Sequence, residues 1–269
     1  MIIDFHTHIF PEKIAKRTID YLSEKGGLPP FSDGTASGLI NSLQRAEADI
    51  AINLPVLTNP SQFESVNRFA LEINERYKNE ARRIISFGGI HPLCDGIDEK
   101  MKMLKDMGFL GVKIHPDYQE TPINDEKYIR IISCAKELDL IVVTHAGIDA
   151  GYRDRPVMCP PELAREVIDK VGHPKLVLAH CGGYESFDGV FELLCGRDVY
   201  FDTSYVLRYL GEENLKKMIS KHGSDKILFA SDSPWSDIEG DVKILKSFNL
   251  GKETEDKLFC ENAKKLLGI

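Results

Sequence analysis

The stretch MIIDFHTHIF places His6 and His8 two residues apart at the end of a short apolar run. Met1–Phe5 reads as a buried strand, because Pro11 follows too soon for a helix. Side chains two apart on a strand share a face, so both imidazoles project the same way. Two neutral imidazoles on one side of a strand end can chelate a cation. Taken alone, a His-x-His pair is more often two unrelated polar residues, so the pattern has to be read with the rest of the chain.

Seven further apolar runs follow: 49–56, 83–90, 110–114, 140–144, 175–179, 198–202 and 226–231. Their ends carry the chemistry. The second ends near Asn53, the third in His91 (GGIHP) and the fourth in Lys113 and His115 (GVKIHPD). The fifth ends in His145 (VVTHAG), the sixth in His180 (VLAHCGG), the seventh in Asp202 and the eighth in Asp232 (LFASDSPW). Six of the eight histidines therefore fall at strand ends. His173 and His222 sit near helix ends, where a surface role is expected. One histidine can be explained by the core, but six on one rim would each need a buried hydrogen-bond partner. Imidazoles and a carboxylate around one point are what a transition-metal site requires.

The elements that must position these groups alternate. Amphipathic segments separate the runs: Ser61–Tyr77, Ile97–Met107, Glu126–Leu138, Glu162–Val171, Glu212–His222 and Asp237–Phe248, with a shorter one at 185–194 and a last helix at 253–267. Residues 25–38 and 147–161 read as long loops over the strand ends, the second carrying Arg153 and Arg155. Eight strands alternating with helices argue for parallel pairing by right-handed crossovers. Closed on itself this is a (β/α)8 TIM-like barrel, with an open doubly wound sheet as the alternative. The active site of such a barrel lies at the C-terminal strand ends. No composition shift divides residues 1–269, so one domain is expected.

The pattern resembles the amidohydrolase superfamily through DFHTH, THAG, AHCGG and ASDSPW. HCGG followed by SD-x-P is most similar to the branch that includes aminocarboxymuconate semialdehyde decarboxylase and related metal-dependent hydrolases. The resemblance implies a distorted barrel holding one or two divalent ions, Zn2+ first, with Mn2+, Fe2+ or Co2+ as alternatives. It implies His6, His8, His145 and Asp232 as ligands, with Asp232 also moving a proton. His180 matches a residue that ligates or polarises water and substrate. VKIHP resembles the segment in which binuclear members carry a carboxylated lysine, so Lys113 is a bridging candidate. Its simpler readings are a substrate contact or a partner for Asp117. The resemblance also allows a homodimer.

His115, His91, Asn53, Arg153 and Trp235 are candidate substrate contacts, and Asp202 is a candidate for orienting a histidine. Cys181 points away by strand alternation and is not read as a nucleophile. A divalent ion brings the pKa of bound water to about 7 and polarises a carbonyl. The expected reaction is hydrolysis of a small amide, cyclic imide or lactone, with Asp232 carrying the proton and His180 stabilising the oxyanion. The alternative is non-oxidative decarboxylation of a small carboxylic acid, which HCGG favours and Lys113 disfavours. Phosphoester hydrolysis and a metal-stabilised scaffold are further rivals. A formal net charge of −8 argues against nucleic acid. The six cysteines include no C-x-x-C pair and read as reduced thiols. Nothing resembles a secretory leader or an apolar stretch of ~18 residues, so a cytoplasmic protein with no membrane partner is expected.

Overall fold

The computed structural model describes all of residues 1–269. Its strands are β1 (Ile3–Thr7), β2 (Ile50–Asn53), β3 (Arg83–Ser86), β4 (Gly88–Gly89), β5 (Gly111–Ile114), β6 (Ile141–Thr144), β7 (Leu176–Leu178), β8 (Tyr200–Asp202) and β9 (Ile227–Leu228). All pair in parallel, in the orders β1-β2-β3 and β4-β5-β6-β7-β8-β9. β3 and β4 are one run interrupted at Phe87, so the count agrees with the eight apolar runs. The seam between last and first strand is closed by backbone bonds. Phe5 N–H donates to Phe229 (3.0 Å), Asp232 N–H to His6 (2.9 Å) and His8 N–H to Ser233 (2.7 Å), and Thr7 pairs with Ser233. The barrel is therefore shut, and no sheet edge is left open there.

Two apolar layers follow from strand alternation. Ile3, Phe5, Ile52, Ile85, Phe87, Ile141, Val143, Val177 and Leu228 fill the barrel interior. Ala263, Leu266 and Leu267 from the C-terminal helix belong to the same cluster. The other strand faces pack against the surrounding helices in a larger core. Those helices include α1 (Glu12–Gly26), α2 (Ala36–Arg45), α3 (Phe63–Tyr77), α4 (Ile97–Asp106), α5 (Glu126–Glu137) and α6 (Pro161–Val171). After the short α7 (Phe187–Gly189) come α8 (Leu207–His222) and α9 (Ile238–Ser247). The last helix runs as α10 (Lys252–Asp256) and α11 (Asn262–Leu267), joined by a π turn. No helix is long and apolar enough to cross a membrane.

Three expectations need correction. The loop expected at 25–38 is shorter: α1 reaches Gly26, and α2 begins one residue after Thr35, whose side chain accepts the Gly38 N–H as its cap. α8 starts at Leu207 rather than Glu212, because the chain turns helical before a kink at Gly211. His173 is not at the surface. It is 3% exposed, and its Nε2 lies 2.8 Å from the Leu140 carbonyl, tying α6's exit to the start of β6.

Candidate active site

The phase of β1 decides which way its histidines point. Ile3 and Phe5 face the barrel interior, so strict alternation would send His6 outward. Between Asp4 and Thr7 the register against β2 slips, three steps matching the two from Ala51 to Asn53. This bulge reverses the phase, and His6 and His8 join the inward set while Ile9 enters the outer core. Asp4 sits at the slip and accepts His6 N–H (3.2 Å), Ser231 N–H (2.9 Å) and the Ser231 hydroxyl (2.5 Å). It stitches the bulge to the strand that carries Asp232. Lys113, His115, His145, Asp202 and Asp232 face inward by ordinary alternation. His180 faces inward because the chain leaves alternation through two consecutive left-handed residues, His180 and Cys181 (φ 57° and 54°), which sends Cys181 into the outer core, and Asp232 has φ 72°. Backbone strain of this kind collects at functional sites.

Hydrogen bonds on one ring nitrogen fix what the other offers. His6 Nδ1 lies 2.9 Å from Asp202 Oδ2, which can only accept, so Nδ1 carries the proton. His8 Nδ1 lies 2.8 Å from the Leu54 carbonyl and is likewise the donor. Both Nε2 atoms then present lone pairs, 3.2 Å apart, with Lys113 Nζ 3.1 Å from that of His6. Asp232 Oδ1 stands 3.2 Å from His8 Nε2 and 3.5 Å from His6 Nε2. Three electron-rich atoms at these spacings repel one another unless a cation lies among them. A tetrahedral ion about 2.1 Å from each would separate them by about 3.4 Å. His180 Nδ1 donates to the Ser204 carbonyl at 2.9 Å, so its Nε2 accepts from His145 Nδ1 at 3.0 Å. His145 Nε2 is left buried with no partner, a fourth lone pair. His6, His8 and Asp232 form a donor set that a divalent cation would fit, with Asp202 orienting the first imidazole, while His145, oriented by His180, stands in the adjoining group with His115 and Asp149.

The electrostatics agree with neutral imidazoles. Burial, with Lys113 nearby, holds His6 well below the usual histidine range. Burial and then the charge of His180 do the same for His145. Lys113 is 1% exposed, and burial pulls its pKa down to about 8 against the pull of Asp202 and Asp232. Its Nζ lies 3.1 Å from His6 Nε2. It is not a partner of Asp117, which accepts the Met158 N–H instead. A cavity of about 1010 Å³ opens on these groups, walled by α1 and α3.

Of the sequence candidates, His6, His8, Lys113, His115, His145, His180, Asp232 and Trp235 all line this cavity. Asn53, His91 and Arg153 do not. Asn53 is fully buried, accepting Ile9 N–H and donating to Ser86. His91 Nδ1 accepts the Leu93 N–H. Arg153 is held bidentately by Glu185 at the surface. Cys181 is fully buried, and burial pushes its thiol well up. Tyr118, Asp149, Tyr184 and Tyr205 line the cavity without having been singled out. Asp149 was findable, since it stands four residues after His145 in THAGID.

A sequence model describing amidohydrolases matches residues 3–269. The chain belongs to the amidohydrolase family. No functionally curated protein matches this amidohydrolase in sequence. Among solved structures it is similar to a 2,6-dihydroxybenzoate decarboxylase from Rhizobium, at 16% identity and a TM-score of 0.71, over 99% of this chain and 98% of that one. It is also similar to a 5-carboxyvanillate decarboxylase from Novosphingobium aromaticivorans, complexed with manganese and 4-hydroxy-3-methoxy-5-nitrobenzoic acid. Identity there is 14% and the TM-score 0.72, over 100% and 96% of the two chains. A TIM-barrel protein from Bordetella bronchiseptica shares 15% identity at a TM-score of 0.76, over 99% and 98%. The amidohydrolase shares their fold at these identities, and a divalent metal fits its family and its donor set.

Proposed function

We propose that the protein is a metal-dependent, non-oxidative decarboxylase of a small carboxylic acid. The observation that carries this is the occupied lone pair of His180. Its Nε2 accepts from His145 Nδ1, so His180 is spent on orienting His145 and has nothing to offer a second ion. A one-metal centre removes the main support for hydrolysis by a bridged pair. The two similar decarboxylases make a carboxylated substrate the better choice between one-metal chemistries.

When bound, the ion supplies a Lewis acid that holds a substrate oxygen and draws off developing negative charge. The residues do the rest. The bond from substrate carbon to carboxylate breaks, carbon dioxide leaves, and the electron pair stays on that carbon. Asp232, ionised at the ligand cluster, would take a proton from the substrate acid or from water and pass it to that carbon, where the electron pair becomes the new C–H bond. Lys113 offers its buried amine to a substrate oxygen, and Trp235, Tyr184 and Tyr205 wall the cavity against water. Zn2+ and Mn2+ both suit three imidazoles and a carboxylate.

Hydrolysis keeps one supporting observation: the Lys113 amine stands 3.1 Å from a ligand nitrogen, where a carbamate would bridge two ions. One experiment separates the readings. The metal-loaded protein is given panels of hydroxylated aromatic acids and of amides, cyclic imides and lactones. Carbon dioxide release, lost in Asp232→Asn, is expected. Cleavage of the second panel with no carbon dioxide from the first would overturn the proposal.

A further inference from the structure

Beyond the ligand cluster, a second set of groups faces the same cavity. His115 Nε2 and Asp149 Oδ2 lie 3.5 Å apart, with their side chains 6% and 12% exposed. With His145 they form a cluster whose candidate ligand atoms all lie within 4.8 Å of one another. A second metal ion is the first reading of such a cluster, and the hydrogen bonding of His115 speaks against it. Its Nδ1 faces the Tyr118 N–H at 3.3 Å, so Nδ1 is the acceptor and the proton sits on Nε2. Ligation through Nε2 would force a proton onto Nδ1, against a backbone donor. The ring is held in this state from several sides. It stacks on His145 (centroids 4.3 Å, planes 11° apart) and meets Tyr118 at a 56° tilt (4.2 Å). Its backbone N–H is fixed by Gln119 Oε1 at 3.1 Å. Asp149 is equally constrained, because its Oδ1 accepts the Gly151 N–H at 2.8 Å and leaves Oδ2 towards His115. At 3.5 Å the pair gives neither partner a good hydrogen bond. A fixed N–H donor and a fixed carboxylate acceptor thus open side by side on the cavity, one ring thickness from the ligand His145.

We propose that His115 and Asp149 read a hydroxyl group on the substrate, close to the reacting carbon, with His115 donating to its oxygen and Asp149 accepting its proton. This rests on the decarboxylase reading for the acid, but not for the subsite. A hydroxyl is at once acceptor and donor, which matches the order of the two groups. An ether would leave Asp149 without a donor, and a bare C–H would leave both groups dry and unpaired. Sites built this way reject the analogue that lacks the polar group.

The test is equilibrium binding to the metal-loaded protein by calorimetry, with 2,6-dihydroxybenzoate and benzoate as probes and carbon dioxide release measured alongside. Wild type is expected to bind the hydroxylated acid at least about tenfold more tightly. His115→Phe keeps a ring for stacking but removes the donor, and Asp149→Asn removes the charged acceptor. Each is expected to bring the ratio towards one at unchanged metal content, and His115→Gln, which restores an N–H, to recover part of it. Equal affinities in wild type, no binding of either acid, or a ratio unchanged in both variants would overturn the subsite. If a variant does not fold, the wild-type ratio and the other variant still decide. Discrimination in binding without carbon dioxide release would overturn the reaction and leave the subsite standing.

Discussion

Asp202→Asn is a change of one atom that the geometry turns into a loss of metal. Asp202 Oδ1 accepts three donors: His180 N–H (3.0 Å), Ser204 N–H (3.0 Å) and the Ser204 hydroxyl. Oδ2 accepts one, from His6 Nδ1. An asparagine has a single carbonyl oxygen, and it is needed on the side with three donors. Turning its NH2 there would set it against two buried backbone N–H groups, at about 1–3 kcal/mol each. The NH2 must therefore face His6 Nδ1, which has to give up its proton and become an acceptor. The proton moves to Nε2, the lone pair meant for the ion. Loss of an orienting partner alone typically weakens metal binding about 10- to 100-fold, or about 1.4–2.7 kcal/mol. A wrong tautomer places Asp202→Asn at the upper end of that range or beyond. The assay is competition for Zn2+ and Mn2+ against a chromophoric chelator, with thermal unfolding of the metal-free protein as the control for folding. A folded Asp202→Asn protein that holds either ion as tightly as wild type would refute the tautomer reasoning.

Other expectations follow from the same site. Mass spectrometry of protein loaded in the presence of bicarbonate should find one ion per chain; two would revive the carbamate on Lys113. In the metal-free protein, Lys113 titrates near about 8, against 10.5 for a free side chain. Between these values the unfolded chain keeps a proton that the folded one has lost, so stability rises with pH across that window. The rise is roughly 3 kcal/mol, and denaturant titrations should find it in wild type and not in Lys113→Met. Gln119→Leu should cost about 3 kcal/mol or more by chemical denaturation, because it strands several buried partners at once. The Gln119 amide group satisfies His115 N–H, the Tyr128 hydroxyl and the carbonyls of Leu57 and Ile90. Chelator treatment should abolish activity while the fold persists, since the barrel core does not depend on the ion; simultaneous unfolding would point to a structural metal.

The barrel and most of the inward-facing candidate ligands were legible because they rest on periodicity. Apolar runs of strand length, ended by His or Asp, report both the elements and the rim they converge on. Lys113, His145 and Asp232 point inward by the plain alternation that the runs already display. Two kinds of information were not legible. One was the phase shift in β1: residue types allow His6 and His8 to share a face, but only the slip against β2 makes it the interior face. The other was long-range pairing. Asn53 and His91 stand at strand ends like the ligands do, and backbone or strand partners use them up. Arg153 found Glu185, a partner that no spacing announces. α1 was readable from Ile14, Ile19 and Leu22 following Pro11, although the Gly- and Pro-rich stretch at its end drew attention to the loop instead.

The seam between β9 and β1 has a consequence for how the protein is made. Asp4 and Ser231, 227 positions apart, meet there, and the candidate ligands His6, His8 and Asp232 gather around the same join. A ribosome delivers the two histidines early and the aspartate late. Until the last strand emerges, the growing chain has an open sheet edge and only part of a chelating set. A centre that needs all three residues would therefore form only late in biosynthesis, and a product truncated before Ser231 would lack the stitch and the carboxylate together. In the cell, the centre would discriminate finished from unfinished chains.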